Sequence, residues 1–568
     1  MTSGSGVQKR ILYFAPRRGL ANEFFRALAG AAGCESHRQA EGAAFSCDDA
    51  EFSFLVRRDV DAALDALHHG FFNLVLLDLR ESVHGSARSG DSFAQGLALL
   101  EAMDKEGDLE RRYGFHRVVA LVSGHDSPEV DGRIATLGSL GVRHVMRDQA
   151  ACPYNRKCDL LPHPSQFARR VLDEIEQLVL HRKVGQKALC ASGGGITGLY
   201  FELGALKCLE DCCSPGALNQ FDQYYGISAG GVVTGIIANG YSVTEFMASI
   251  AGVETERLPA LDLNLLDLAH LDYRGLTMPL RQLINLGATA ALQLARLRSP
   301  FSLEALVFEY GDLIHAPFQT DGFEALLAAS FSRNGCSNDF RTLRRKLYIG
   351  ATDQDRKEHV LFGAPPFDDV PISRAIQASM SLNPVFSPTA IHGRYYEDGA
   401  VTRTSNFVEA IGKGADLVFA LDPLVPYVSK EVGFARARGV FYNADQDIRT
   451  VSFTRYETTR NFVMRQHPEV SLYTFLPANN LRRLLSVNPM DHRPYLEIWR
   501  GAYLGTLRRV HTLGYRMKGD LAVHGVTMDV ARAEAVADRL ESSRRLRFED
   551  FFPDGRIDVA VPPFAAAL

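Results

Sequence analysis

Ser228 stands in Gly226-Ile227-Ser228-Ala229-Gly230. In a GxSxG pattern the glycines permit the sharp strand-to-helix turn that lifts a serine Oγ out of the backbone, and the following helix sets amide groups beside it. The setting suits that chemistry: the aromatic and apolar run FDQYY precedes the motif, and Val232, Val233, Ile236 and Ile237 follow at helical spacing. A serine nucleophile needs a base. An α/β-hydrolase would supply an acid and then a histidine downstream, yet His270, His315, His359 and His392 read as loop or surface residues in no distinctive motif. The alternative is the carboxylate in GRYYEDGAVTRTSN, where a strand ends at Asp398-Gly399-Ala400 and the glycine lets the acid approach another backbone. Upstream, KALCASGGGITGLYFELGALKCLED runs from a short apolar strand into Gly193, Gly194 and Gly195, then into a helix predicted from near Thr197. Its amides and the positive end of the helix dipole suit an anion, a property shared with dinucleotide-binding loops.

Taken together these blocks resemble the patatin-like phospholipase family. SGGGITG, GISAG, ISRAIQASMSLNPVFSP and EDGA occur in family order between Lys187 and Pro423. LYIGATDQDRKEHVLFG resembles the strand pair before the third block, and IGKGADLVFALDP the helix end and return strand after the fourth. The resemblance implies a three-layer α/β/α domain over residues 186–424 and a Ser-Asp dyad of Ser228 and Asp398. It also implies an oxyanion hole at Gly194 and Gly195, with Ala229 as a further donor. Gly193, Gly198, Gly226, Gly230, Gly399 and Ala400 match the remaining motif positions. The implied substrate is a lipid acyl ester (phospholipid, lysophospholipid or neutral glycerolipid), and no cofactor or metal is called for. A storage polyester or acyl thioester cut by the same dyad, or a lipid-sensing scaffold without catalysis, are the alternatives. Two positions depart from the family pattern. Thr197 stands where Arg or Lys is common, which weakens the case for a phospholipid headgroup, and Asn383 stands where a glycine is frequent.

Residues 1–185 alternate strand-length apolar runs with amphipathic stretches. Strands are predicted at Ile11–Ala15, Phe52–Val56, Asn73–Leu79, Val118–Ser123 and His144–Arg147. Helices are predicted at Ala21–Ala32, Asp59–His69, Phe93–Lys105, Glu129–Leu140 and Gln166–Lys183. This is the pattern of a doubly wound, flavodoxin-like α/β domain. Its order resembles bacterial receiver domains, with Asp78 at the phosphoacceptor position and Ser123 at the end of the fourth strand. The acidic residues that hold Mg²⁺ in receivers are replaced by Ala15, Pro16, Arg17 and Arg18, and the expected lysine by Arg147. Without an oxygen cage, phosphoryl transfer to Asp78 loses its metal. A degenerate receiver serving homodimerisation or a protein partner is the expectation.

Glu254–Phe340 is longer than a compact core needs and Leu-rich at helical spacing, predicting a helical insertion or lid with an apolar underside. Residues 425–568 are predicted as a helical C-terminal region. Val425–Gly519 carries 15 Lys+Arg against 7 Asp+Glu, a surplus able to draw the chain to anionic headgroups, with Trp499, Tyr495 and Tyr503 as interfacial anchors or core. The whole 568-residue chain has a net charge of −5 and 46% apolar residues, which excludes a largely disordered chain and gives no reason to expect nucleic acid. Nine cysteines without paired metal spacings read as reduced thiols. Met1–Arg18 lacks the order of a signal peptide, so a cytoplasmic location is expected, with peripheral contact at the inner membrane surface.

Overall fold

The structure is a computed structural model. It describes residues 7–557, apart from 34–36, 40–41, 48–49, 71, 81–91, 106–112, 114–116, 124–127, 149–163, 180–184, 254, 256, 259, 261–269, 272–317, 334, 384, 468–469 and 487–489. Most of the predicted helical insertion lies outside the described residues. The chain forms two compact units: residues 1–184 with 464–469 and 513–523, and residues 185–463 with 470–512 and 524–568.

The first unit runs β1 (Val7–Phe14), α1 (Arg18–Ala31), β2 (His37–Gln39), β3 (Gly42–Cys47), β4 (Ala50–Arg57), α2 (Val60–His69), β5 (Leu74–Asp78), α3 (Ser92–Lys105), β6 (Val118–Ser123), α4 (Pro128–Ser139), β7 (His144–Asp148) and α5 (Pro164–Val179). Its sheet order is β2-β3-β4-β1-β5-β6-β7. Alternation along β1 shows why the sheet is covered on both sides. Ile11 and Tyr13 pack with Phe24, Leu28, Phe167 and Val171 of α1 and α5, whereas Leu12 and Phe14 pack with Ala63, Leu67, Leu99 and Leu137 of α2, α3 and α4. The five-strand reading omits β2 and β3. They pair antiparallel to one another and to β4, with Phe45 opposite Phe52. GAAFSC has little strand signal of its own, so pairing with β4 decides its state.

The second unit carries β8 (Gln186–Ala191), α6 (Gly195–Cys212), β9 (Gln223–Ile227), α7 (Ala229–Ala238), α8 (Val243–Ile250), β10 (His270–Leu271), β11 (Phe318–Gln319), α9 (Asp321–Phe331), β12 (Lys346–Asp353), β13 (His359–Phe362), α10 (Ile372–Ser379), β14 (Thr389–Ile391), β15 (Arg394–Asp398), α11 (Phe407–Gly412), β16 (Ala415–Leu421), β17 (Ser471–Phe475), α13 (Asn479–Leu485) and α15 (Ala531–Ser542), together with α12 (Val440–Gln466) and α14 (Tyr495–Val523) apart from their ends from 464 and from 513, which count with the first unit. The sheet order is β14-β15-β12-β9-β8-β16-β17, with β13 also on β12. β12, β9, β8, β16 and β17 are parallel, and β15 joins antiparallel to β12. Phe407 and Ala410 of α11 and Tyr456 of α12 pack with Ala188, Cys190 and Tyr225. α7 lies on β8, β9 and β12, and α6 lies on α7.

The stretch 425–568, predicted as helices, also supplies β17 to this sheet. Trp499 and Tyr503 are fully buried, and Trp499 meets Tyr200 of α6 edge-on, so both are core residues. No helix among the described residues is long and apolar enough to cross a membrane.

Candidate active site

Strand register brings distant residues together. Ile227 pairs with Gly350 of β12, and Asp398 pairs with the next residue, Ala351, on the other side of that strand. Ser228, one step beyond Ile227, therefore faces Asp398 across a single strand, with about 4.8 Å between neighbouring strands. Ser228 adopts φ 52 and ψ −125, a strained conformation for a residue with a side chain. A latch holds it there. The Ser228 amide donates to Ser379 Oγ at 2.7 Å, and that hydroxyl donates to the Gly350 carbonyl at 2.5 Å. Gly230 fixes the turn from the other side by donating to the Ser192 carbonyl at 3.1 Å.

Asp398 is 2% exposed. Its Oδ1 accepts the Ala400 amide at 2.8 Å, its own amide donates to the Ser381 carbonyl at 3.0 Å, and its carbonyl accepts the Thr352 hydroxyl at 3.0 Å. The Ser228 hydroxyl interacts with its carboxyl. Burial pushes this carboxyl up to about 6, opposed by the Ala400 amide and the Ser228 hydroxyl and aided by the charge of Glu397. The group is thus ionised at neutral pH while remaining basic enough to take a proton.

The glycine loop lies against the serine turn. A Cβ on Gly193 would stand 3.0 Å from Ser228 Cβ. Gly194 has φ +153, and a Cβ there would meet the Pro423 ring at 2.8 Å, so only glycine fits the path from β8 into α6. Gly195 opens α6 and Ala229 opens α7. The first-turn amides of a helix have no intrahelical partner and attract negative charge. Thr197 is fully buried and donates to the Leu485 carbonyl at 3.4 Å.

His359 proves to be a half-buried residue of β13, contrary to its reading as loop or surface, and its Nδ1 pairs with Thr402 Oγ1 at 3.2 Å. His392 faces Asp369 at 3.5 Å, and His315 lies outside the described residues. Among the described residues no group of three or more His, Cys, Asp or Glu side chains could hold a metal ion.

In the first unit Asp78 ends β5 and is 3% exposed. Arg80 grips it with two nitrogens, at 2.8 and 2.7 Å, and reaches Asp148 at 2.7 Å, while Tyr13 donates its hydroxyl at 2.5 Å. Arg147 pairs with Asp131.

Residues 189–411 match the family model described as Patatin-like phospholipase. This segment of the chain is thus similar to patatin-like phospholipases. No curated protein matches the chain. Among solved structures, VipD from Legionella pneumophila is similar over 67% of this chain and 91% of its own, at 13% identity and a TM-score of 0.24. ExoU from the type III secretion system of Pseudomonas aeruginosa, solved in complex with SpcU, is similar over 65% of this chain and 66% of its own, at 14% identity and a TM-score of 0.21. A CheY-like response regulator receiver domain protein from Methanospirillum hungatei JF-1 covers 30% of this chain and 96% of its own, at 16% identity and a TM-score of 0.18.

One residue of the patatin-like segment escaped the reading of its motifs. Ser379 lies in the third block, at the helix end QASMS, where Gln377 and Ser381 are polar too and nothing in the sequence singles it out. Its bonds run to main-chain atoms, which no spacing pattern announces.

Proposed function

We propose that the chain is a serine acyl hydrolase that cleaves carboxyl esters of membrane lipids, with Ser228 as nucleophile and Asp398 as base. Asp398 takes the Ser228 proton as Oγ attacks the acyl carbonyl. The C–O bond to the leaving alcohol then breaks, and the alcohol departs with that proton. Water attacks the acyl-enzyme, Asp398 takes its proton, and the proton returns to Oγ as the fatty acid leaves. The amides of Gly194, Gly195 and Ala229 hold the developing oxyanion, where one donor is typically worth about 2.7–4 kcal/mol. The observation that carries the proposal is the strand register that sets Ser228, one residue past Ile227, across β12 from the buried Asp398 carboxyl.

In this proposal residues 186–424 are the hydrolase domain and residues 1–185 an assembly or regulatory module. Contact with a membrane surface is supported by exposed Val428, Val432 and Val440 beside exposed Lys430, Arg436 and Arg438. The decisive test pairs fluorophosphonate labelling with lipid mass spectrometry. Label on Ser228, and fatty acid released from total membranes by wild type but not by Asp398→Ala, is the expected result. Release that persists in Ser228→Ala would overturn the assignment.

A further inference from the structure

α12 lies beyond the 189–411 stretch that the family model matches, and the reaction as written does not call on it. Two of its arginines nevertheless end on main-chain oxygens behind the two halves of the site. Arg449, 1% exposed, donates from Nη1 to the Pro423 carbonyl at 3.0 Å, from Nη2 to the Leu485 carbonyl at 3.1 Å, and from Nε to Asp445 at 2.8 Å. Pro423 is the ring that Gly194 and Gly198 lean on, and the Leu485 carbonyl also receives the Thr197 hydroxyl. Both supports of the first turn of α6 are therefore tied to one guanidinium.

Arg455 does the corresponding thing for the acid. Its Nη2 donates to the Ala400 carbonyl at 2.7 Å, its Nη1 to the Val401 carbonyl at 2.9 Å and its Nε to Thr404 Oγ1 at 3.1 Å. The Ala400 amide is the one that holds the Asp398 carboxylate. A planar fork that spans neighbouring carbonyls fixes a turn more tightly than a single ammonium does.

We propose, building on the Ser228-Asp398 assignment above, that α12 is a brace setting the glycine loop and the base at their working separation, with Arg449 and Arg455 as positioning residues. The two arginines should leave different signatures. Arg455 acts through the amide that pulls the Asp398 carboxyl down, so loosening it moves the acid limb of the rate profile upward. Arg449 acts through the loop, so its loss lowers turnover and leaves that limb in place.

The test uses the full-length chain, a soluble p-nitrophenyl ester and active sites counted by fluorophosphonate. Arg455→Gln is expected to lower kcat per labelled site about 10- to 100-fold at similar KM, the scale of a small misplacement of reacting groups, and to shift the acid limb toward neutral pH. Arg455→Lys, which keeps the charge, should recover only part of the loss. Arg449→Gln is expected to lower kcat comparably with the limb unmoved. Should that variant not fold, Thr197→Val reports on the same tie at Leu485 and is expected to lower kcat in the same direction. Wild-type kcat per labelled site and a wild-type limb in the folded Arg455 variants, or an unchanged kcat in Thr197→Val, would overturn the brace. Absence of label on Ser228 in the wild-type chain would instead overturn the underlying dyad.

Discussion

Asp78 and Asp398 each close a β-strand, each lie almost wholly out of water, and each interact with a hydroxyl. They differ in their cations. Asp78 is gripped by the Arg80 fork, and the guanidinium also spans to Asp148, so the carboxylate is fully engaged. Asp398 accepts an amide and a serine hydroxyl, and burial leaves its affinity for a proton raised. The Arg80 fork makes the Asp78 carboxylate a structural tie, whereas burial raises the proton affinity of the Asp398 carboxyl, as the proposed base requires. Asp78 is engaged by side chains of its own unit, whereas among the described residues no arginine bonds to the Asp398 carboxyl, which accepts the Ala400 amide.

The comparison breaks most visibly at the reacting pair. Ser228→Ala or Asp398→Ala is expected to lower kcat on the order of 10⁴-fold or more, read as lipid release per mole of folded chain. In the first unit, Arg80→Met takes the guanidinium away from buried Asp78 and half-buried Asp148 and should cost about 3–5 kcal/mol in denaturant unfolding, part of which a second change, Asp78→Asn, restores. A silent Arg80→Met would show that the Arg80 fork is no structural tie for Asp78. Gly194→Ala forces a side chain into the Pro423 ring at a φ that side chains avoid, and a loss of about 10²- to 10³-fold in kcat is expected, equal to one oxyanion donor.

The smallest effect sharpens the contrast. The Asp398 carboxyl rises in the fold from 3.8 to about 6, so the folded chain binds that proton more tightly than the unfolded chain. Its stabilising contribution is complete below about pH 4 and is lost as pH rises through about 6. Asp398→Asn, though inactive, should therefore be more stable than wild type by roughly 3 kcal/mol at pH 7, with the gain fading in acid. Hydrolysis runs the other way, falling as pH drops through about 6.

The proposed nucleophile and acid are legible because both are marked by local type and spacing: a serine between glycines after a strand, and a carboxylate before a glycine at a strand end. The sequence also shows the alternation that winds the first unit, since Ile11, Leu12, Tyr13 and Phe14 bury both faces of β1. It hides whatever acts on main-chain atoms. Ser379, Arg449 and Arg455 bond to amides and carbonyls, which every residue offers, so composition cannot say which ones they meet. Arg80 is hidden for a related reason, since its partner Asp148 lies 68 positions away.

The pairing of β15 with β12 makes the acid's placement a matter of phase. Neighbouring residues on a strand point to opposite faces, and Glu397, next to Asp398, turns instead to Lys357 at 2.8 Å. Dropping or adding one residue between Arg394 and Asp398 would shift these two acids by one phase and send the proposed base to the wrong side of the sheet. The side chain of Tyr395 is half exposed, so its identity bears on that placement far less than the number of residues in the strand does, where any odd change would undo the proposed dyad.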